Sequence, residues 1–336
     1  MNAPAAVLEH VHGVLRDAVA AAIMAPSTHN TQPWRFRIAG TALQLFVDER
    51  RQLSVIDPDR RQLVQSCGCA LYNARLAVRA IGYRDDVTIM LGQDPPDLLA
   101  ELRLGALREP TAADRALMTA LATRRTNRRP FLARPVGDAH VAPMLAAAAR
   151  ERVWAIRLSP AQKHELGALI DEADQRQYAD PAFRRELADW LVSSGSRRRD
   201  GIPFAEKEYG STLPFRVVRT LRSPHLGEDF GRREQQLLDG APVVIALGTQ
   251  GDVVADWLAC GQALEAVLVR AAALGLSAAF VNQVLEVPDL RDRVTTLVGG
   301  QGRPQMLIRL GYPEAPLHHA APRRALSEVL EIEESA

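Results

Sequence analysis

The sequence predicts a mixed fold of strands and long helices, α/β or α+β, laid out as two related halves. Two observations predict it. Runs with the apolar spacing of a helix alternate with short apolar runs suited to strands, and tight hairpin signals between them are few. One pentapeptide also recurs: Cys67-Gly68-Cys69-Ala70-Leu71 matches Cys260-Gly261-Gln262-Ala263-Leu264 at four of five positions, and the same offset carries Gly82 onto Gly275. Each copy opens a long apolar helix that ends on that glycine. The arrangement this favours is a duplicated domain whose two long helices pack about a pseudo-twofold axis, as in a fused homodimer.

The elements follow in chain order. Val7, Val11, Val14, Leu15, Ala18, Val19 and Ala22 fall on one helical face, and the helix stops at Ala25-Pro26, because proline pushes the preceding residue out of the helical region. Strands are expected over Trp34–Ile38 and Ala42–Val47, a helix over Asp59–Ile81 stopping at Gly82, and strands over Val87–Leu91 and Ala100–Leu104. A boundary falls after Arg108-Glu109-Pro110, giving halves 1–110 and 111–336. The second half reads as helices Ala112–Thr123 and Asp138–Arg150, strand Val153–Leu158 and helix Pro160–Tyr178. Strand Pro242–Gly248, helix Asp252–Leu274, strand Ser277–Asn282, a helix from Val287 and strand Gln305–Leu310 complete it. Residues 193–228 show no regular pattern and carry Gly195, Gly201, Gly210, Gly227, Phe204, Tyr209 and Phe215. So long an irregular insertion reads as a mobile surface segment or a lid.

Composition narrows the function. A chain of 336 residues that is 47% apolar and 24% charged is that of a globular protein. A net charge of +1 gives no field for nucleic acid or a membrane surface. No apolar run reaches the ~18–20 residues of a membrane span, and Glu9, Arg16 and Asp17 interrupt any signal-peptide stretch. Only Lys163 and Lys207 are lysines, and no Gly-Lys-Ser/Thr triplet exists; this excludes a P-loop and leaves a Schiff base almost nowhere to sit. Three cysteines, Cys67, Cys69 and Cys260, suggest a reduced, cytoplasmic setting. Cys67 and Cys69 are read as small core residues rather than a metal or redox pair, and His318-His319, lacking a third ligand, as a linker.

Two segments carry the chemistry. Ala25-Pro26-Ser27-Thr28-His29-Asn30-Thr31-Gln32-Pro33-Trp34 is held by prolines and offers backbone N–H groups, hydroxyls and amides without charge. It suits the edge of a polar heterocycle, or it is a turn capped by Ser27 and Asn30. His29 within it reads as a surface histidine ahead of a proton donor. Arg124-Arg125-Thr126-Asn127-Arg128-Arg129 places four arginines in six residues; these make a phosphate clamp completed by the Thr126 hydroxyl, or a solvated charge run.

Together these segments resemble the nitroreductase family of FMN-dependent oxidoreductases. Arg124, Arg125, Thr126 and Arg128 match the family's Arg-Arg-Ser-x-Arg element, and Pro26, Ser27, Thr28, Asn30, Gln32, Pro33 and Trp34 its Gln-Pro-Trp loop. Gly275-Leu276-Ser277 running through Val281-Asn282-Gln283 resembles the segment beside flavin N5. Gly311-Tyr312-Pro313 followed by Arg323-Arg324 resembles the terminal basic pair. The resemblance spans nearly the whole chain and implies a nitroreductase-like α+β fold. The two main elements come here in reversed order, as in the twin-domain, single-chain, Acg-like branch. Such a chain is an internal pseudo-dimer, a monomer with one composite site and one non-covalent FMN. Asn282 and Gln283 stand where members carry glycine.

The resemblance also implies roles. Arg124, Arg323 and Arg324 surround the FMN phosphate, and Arg128 sits at the N1–C2=O edge, where a cation favours the reduced anion. Thr126, Ser27 and Asn30 bond the ribityl chain and ring edges, and backbone around Asn282 faces N5 and O4. The implied activity is hydride transfer from NADH or NADPH to the flavin and on to an electron-poor small molecule. The alternatives are a flavin store closed by 193–228 and, more weakly, an anion- or nucleic-acid-binding module.

Overall fold

The computed structural model describes residues 5–193, 196–204, 226–315 and 321–333. It is an α+β fold with two antiparallel-based sheets. The first sheet is ordered β11-β1-β2-β4-β3, from β1 (Trp34–Ala39), β2 (Ala42–Val47), β3 (Tyr83–Ile89), β4 (Leu98–Leu107) and β11 (Leu330–Ile332). The second is ordered β5-β8-β10-β9, from β5 (Trp154–Arg157), β8 (Val243–Thr249), β9 (Ser277–Phe280) and β10 (Arg303–Gly311). In β1, Trp34, Phe36 and Ile38 are buried and the residues between them are not, the period of a strand covered on one face. β8 is buried at every position, hence its unbroken apolar sequence.

Helices α1 (Ala5–Ala22), α2 (Arg61–Ile81), α3 (Ala112–Thr123) and α4 (Asp138–Arg150) fall close to the expected ranges. α3 begins in a capping box, with Thr111 Oγ1 accepting from the Asp114 N–H while the Asp114 carboxylate accepts from the Thr111 N–H. α5 (Pro160–Ala179), α6 (Pro181–Trp190), α7 (Leu226–Asp239), α8 (Val254–Ala273), α9 (Pro288–Leu297) and the single turn α10 (Leu326–Val329) follow.

The two sheets share one core through α2 and α8, which lie buried between them. The recurring pentapeptides do not open these helices, as the sequence suggests, but lie within them, six residues after Arg61 and after Val254, where the helices cross. A Cβ placed on Gly261 would stand 2.0 Å from the Gln65 carbonyl oxygen, so the backbones touch. A second core, with Leu166, Ile170, Leu238 and Leu290, lies under α5, α7 and α9.

Three features depart from the expectation. β11 returns to pair in parallel with β1, Phe36 opposite Leu330, so the chain's last strand completes the first sheet. Residues 181–190 are helical, started by Asp180, whose side chain accepts from the Ala182 N–H, with proline in the first turn. And 193–228 is not wholly irregular: β6 (Leu191–Ser193) pairs in parallel with β7 (Ile202–Phe204), and α7 begins at Leu226. Gly195, Tyr209, Gly210, Phe215 and His318-His319 lie outside the described residues. No described helix is long and apolar enough to cross a membrane.

Candidate functional site

A cavity of about 750 Å³, within the usual range for a small-molecule site, is lined by residues drawn from 24–69 and from 124–323. The 25–34 loop forms one wall. After Ala25 it makes a short 3-10 turn over Thr28–Asn30, and His29, Asn30 and Gln32 all take positive φ, of 50°, 55° and 52°. Three non-glycine residues in the left-handed region are costly and need surrounding bonds to hold them. Those bonds are present. Ser27 Oγ accepts from the Gln32 N–H at 2.9 Å, Thr28 Oγ1 donates to Gln62 Oε1 at 2.9 Å, and Asn30 Nδ2 donates to the Pro322 carbonyl at 3.1 Å. Gln32, fully buried, donates to the Arg199 carbonyl at 2.7 Å and accepts from the Arg324 N–H at 2.8 Å.

The arginine element follows helix α3. Arg124 ends α3, donates to the Met24 carbonyl at 3.2 Å, and holds its Nε 3.4 Å from the wholly buried Glu265 carboxylate. Thr126 bridges to Ala278 beside β9, and the Asn127 N–H donates to the Ala278 carbonyl at 2.8 Å. From the C-terminal segment Arg323 donates to Asn30 Oδ1 and to the Met24 and Ala25 carbonyls.

Of the residues singled out from sequence, Pro26, Ser27, Thr28, Asn30, Arg124, Arg125, Thr126, Arg128, Asn282, Gln283 and Arg323 line this cavity. Gln32, Val281 and Arg324 do not. Gln32 and Arg324 brace the loop from behind, with Arg324 also 3.9 Å from Asp48, and Val281 is core. The Asn282 side chain donates to Met306 Sδ and accepts from the Leu307 N–H, so it pins the end of β9 to β10.

His29 is not a surface residue. Its ring lines the cavity, with Nδ1 buried and unpartnered among the described residues. Burial and then the Arg128 charge pull its pKa down to about 4, which leaves the imidazole neutral at pH 7. Burial, then Arg124, likewise lowers Arg323 to about 10. The cysteines are buried, and burial pushes the Cys260 thiol up to about 12 and those of Cys67 and Cys69 upward as well. They are inert core thiols, although Cys69 reaches the cavity edge. No metal-ligating cluster occurs among the described residues.

Several lining residues escaped the sequence reading: Arg309, Asp174, Gln177, Glu234 and Glu286. Arg309 carried a usable signal, a charge inside the apolar run of β10; it is 1% exposed and lies 4.8 Å from the Phe131 ring centre.

The site offers what an anion with a polar heterocyclic body needs. The Nε atoms of Arg124, Arg125 and Arg323 are buried without hydrogen-bond partners among the described residues. Their other guanidinium nitrogens bond backbone carbonyls or Asn30, and Arg124 also pairs with Glu265. Buried donors are normally paired, so three spare Nε donors on arginines lining one cavity fit a phosphate. The loop's hydroxyl and amide groups, with apolar Leu264, Phe280 and Met306, line the remainder.

Comparison with known proteins places the chain among nitroreductases. The family model described as “Nitroreductase family” matches residues 121–312. A Mycobacterium tuberculosis (strain ATCC 25618 / H37Rv) protein named “Putative NAD(P)H nitroreductase Rv3131” is 34% identical over 337 residues, covering 98% of this chain and 94% of its own. From the same strain, “Putative NAD(P)H nitroreductase acg” is 29% identical over 330 residues, covering 95% and 96%. Among solved structures, the FMN-dependent nitroreductase NfnB from Mycobacterium smegmatis in complex with NADPH aligns at 16% identity and a TM-score of 0.44, covering 66% of this chain and 100% of that one.

Proposed function

The chain belongs to the nitroreductase family, and from that premise we propose that it is an FMN-dependent oxidoreductase that takes reducing equivalents from NADH or NADPH and passes them to an electron-poor small molecule. One observation carries the reading. The Ser27–Asn30 loop and the Arg124–Arg128 element converge on one cavity, where the buried Nε atoms of Arg124, Arg125 and Arg323 have no hydrogen-bond partner among the described residues. When bound, FMN supplies two-electron, hydride-level chemistry. This chain's residues do the rest. Arg124, Arg125 and Arg323 neutralise the phosphate, with Thr126 adding a hydroxyl. Ser27, Thr28 and Asn30 orient the polar edges. Arg128, an exposed residue at the cavity wall, brings a positive charge to it, which favours an anionic reduced ring.

The two halves, 1–110 and 111–336, act on this reading as an internal pseudo-dimer about the α2–α8 crossing, with one composite site. One FMN per chain and a monomer follow, and a cytoplasmic setting suits a chain with only buried, free cysteines. A second reading, in which the chain only stores flavin, has its support in the 190–204 segment. There the Gly201 N–H donates to the Asn30 carbonyl and Arg51 bonds Asp200, clasping the cavity loop from outside. The test is titration of the protein with FMN, then anaerobic addition of NADH or NADPH. One flavin bound per chain and bleached at catalytic rates upholds the oxidoreductase; flavin bound and bleached only by dithionite favours the store; two flavins per chain overturn the composite site.

A further inference from the structure

The cavity holds three carboxyl groups that an FMN phosphate does not need: Asp174 on α5, Glu234 on α7, and Glu286 after the Gln283–Leu285 turn. Two are accompanied. Glu286 accepts from Gln62 Nε2 at 2.8 Å and from Gln177 Nε2 at 2.7 Å. Glu234 stands in the field of Arg309, Arg233 and Arg128. Asp174 differs from both. It is 3% exposed, it lines the cavity, and its Oδ2 has no hydrogen-bond partner among the described residues.

The groups facing Asp174 hold its proton in place. Glu234 from α7, Glu286 from the turn before α9 and Asp171 from its own helix all repel a negative charge there, and only the Gln283 side chain works the other way among its main influences. α6 brings Phe183 and Leu187, which are apolar, to the same wall. The ion pairs between α5 and α9, Arg176 with Asp289 at 2.8 Å and Glu172 with Arg293 at 2.6 Å, join exposed groups and bring no counter-charge into the cavity. Burial and like charge together push the Asp174 carboxyl up to about 8.

We propose that Asp174 is the proton donor to the electron acceptor in this cavity, an inference that rests on the oxidoreductase reading. A quinone balances the step. It receives a hydride, two electrons with one proton, at one carbonyl oxygen from the NADH- or NADPH-reduced FMN of the proposed function, and as the ring becomes aromatic the other carbonyl π bond opens to a developing oxyanion. That oxygen takes the proton from the breaking Asp174 O–H bond, giving the hydroquinone and an aspartate, which is reprotonated from solvent. Asp174 meets one amide, the Gln283 side chain, and its Oδ2 stays without a hydrogen-bond partner among the described residues and so can turn to a ligand, whereas Glu286 is held by two amides.

Two measurements test it. Infrared difference spectra of the isolated protein, taken across about pH 6 to pH 9, should show a protonated-carboxyl band that is lost on the alkaline side in the wild type and is absent from Asp174→Asn. Stopped-flow oxidation of the pre-reduced holoprotein by a neutral benzoquinone should slow as pH rises through that range. Asp174→Asn should be slower by about a hundredfold or more with a flat profile, and Asp174→Glu should restore the slope. A missing infrared band, or Asp174→Asn oxidised at the wild-type rate with the wild-type pH profile, overturns the proposal. A chain that shows the band but takes up no FMN overturns the proposal together with the oxidoreductase reading, and the band then identifies the reading as what failed.

Discussion

Gly68 of α2 and Gly261 of α8 face each other where the two helices cross, with a Cβ built on Gly68 falling 2.9 Å from the Gly261 Cα and 2.4 Å from the Leu258 carbonyl oxygen. The recurring pentapeptide thereby acquires a physical reason, since each copy supplies the glycine that lets the other helix approach to backbone contact. Both elements that form the cavity depend on this crossing to meet.

Gly261→Ala is expected to destabilise the protein by about 1–3 kcal/mol or more, because the obstruction is backbone and cannot rotate away. Gly275→Ala serves as the comparison. Its φ is +73° and nothing stands within 4 Å of its Cβ, so the cost is backbone strain alone, about 1 kcal/mol. Urea midpoints of the two variants check this; a larger loss at Gly275 would refute the close-packed crossing.

On the proposed function Arg124 has two tasks that mutation can separate. It neutralises Glu265, which is wholly buried with no other ion-pair partner among the described residues. Removing one member of a buried pair costs about 3–5 kcal/mol, mostly from the charge left behind. Arg124→Ala should therefore lose stability and FMN affinity together. Adding Glu265→Gln should return most of the stability without returning the affinity. Thermal unfolding and FMN titration of the single and double variants read the two effects independently.

Arg128→Ala tests the electrostatic role. The expected result is weaker FMN binding, by about 1.5–3 kcal/mol if a charged hydrogen bond is lost, and a lower midpoint potential for the bound flavin. The same change removes a cation from beside His29, so the imidazole titration should move up from about 4. Spectroelectrochemistry and histidine NMR measure the two shifts. An unmoved imidazole would place the Arg128 charge elsewhere.

Much of this site was legible in the sequence because it is built from loops whose residue types have few other uses. A clamp of arginines and a proline-bounded loop of hydroxyls and amides keep their chemical meaning wherever the fold puts them. The carboxyl wall was not legible. Asp174 sits in the polar stretch Asp171-Glu172-Ala173-Asp174-Gln175-Arg176, which reads as a solvated helix face. Only the packing of α7 against α5 turns Asp174 and Gln177 inward, and no local period encodes a partner that arrives from residues 226–239. β11 escaped for the same reason: three residues gain strand character only by joining β1 from the far end of the chain.

The buried carboxyls also fix the sign of the pH dependence of stability. Asp174 rises from 3.8 to about 8, and Glu234, Glu265 and Glu286 are raised as well, burial being the first cause for each. A raised carboxyl binds its proton more tightly in the folded state, so its contribution is present at low pH and is lost as pH climbs from the unfolded value to the folded one. Asp114, lowered to about 2, and Asp252, lowered further, run the other way; their arginine and hydroxyl partners stabilise the fold above about pH 4 and release it in acid. Stability should therefore peak on the acid side of neutrality and decline toward about pH 8. At about 1.4 kcal/mol per unit of pKa, Asp174 alone makes that decline several kcal/mol. Asp174→Asn should flatten the alkaline limb and leave the acid limb unchanged, as read from urea midpoints across the pH range. A wild-type midpoint that keeps rising from pH 5 to pH 8 would show that Asp174 is ionised in the folded protein over that range.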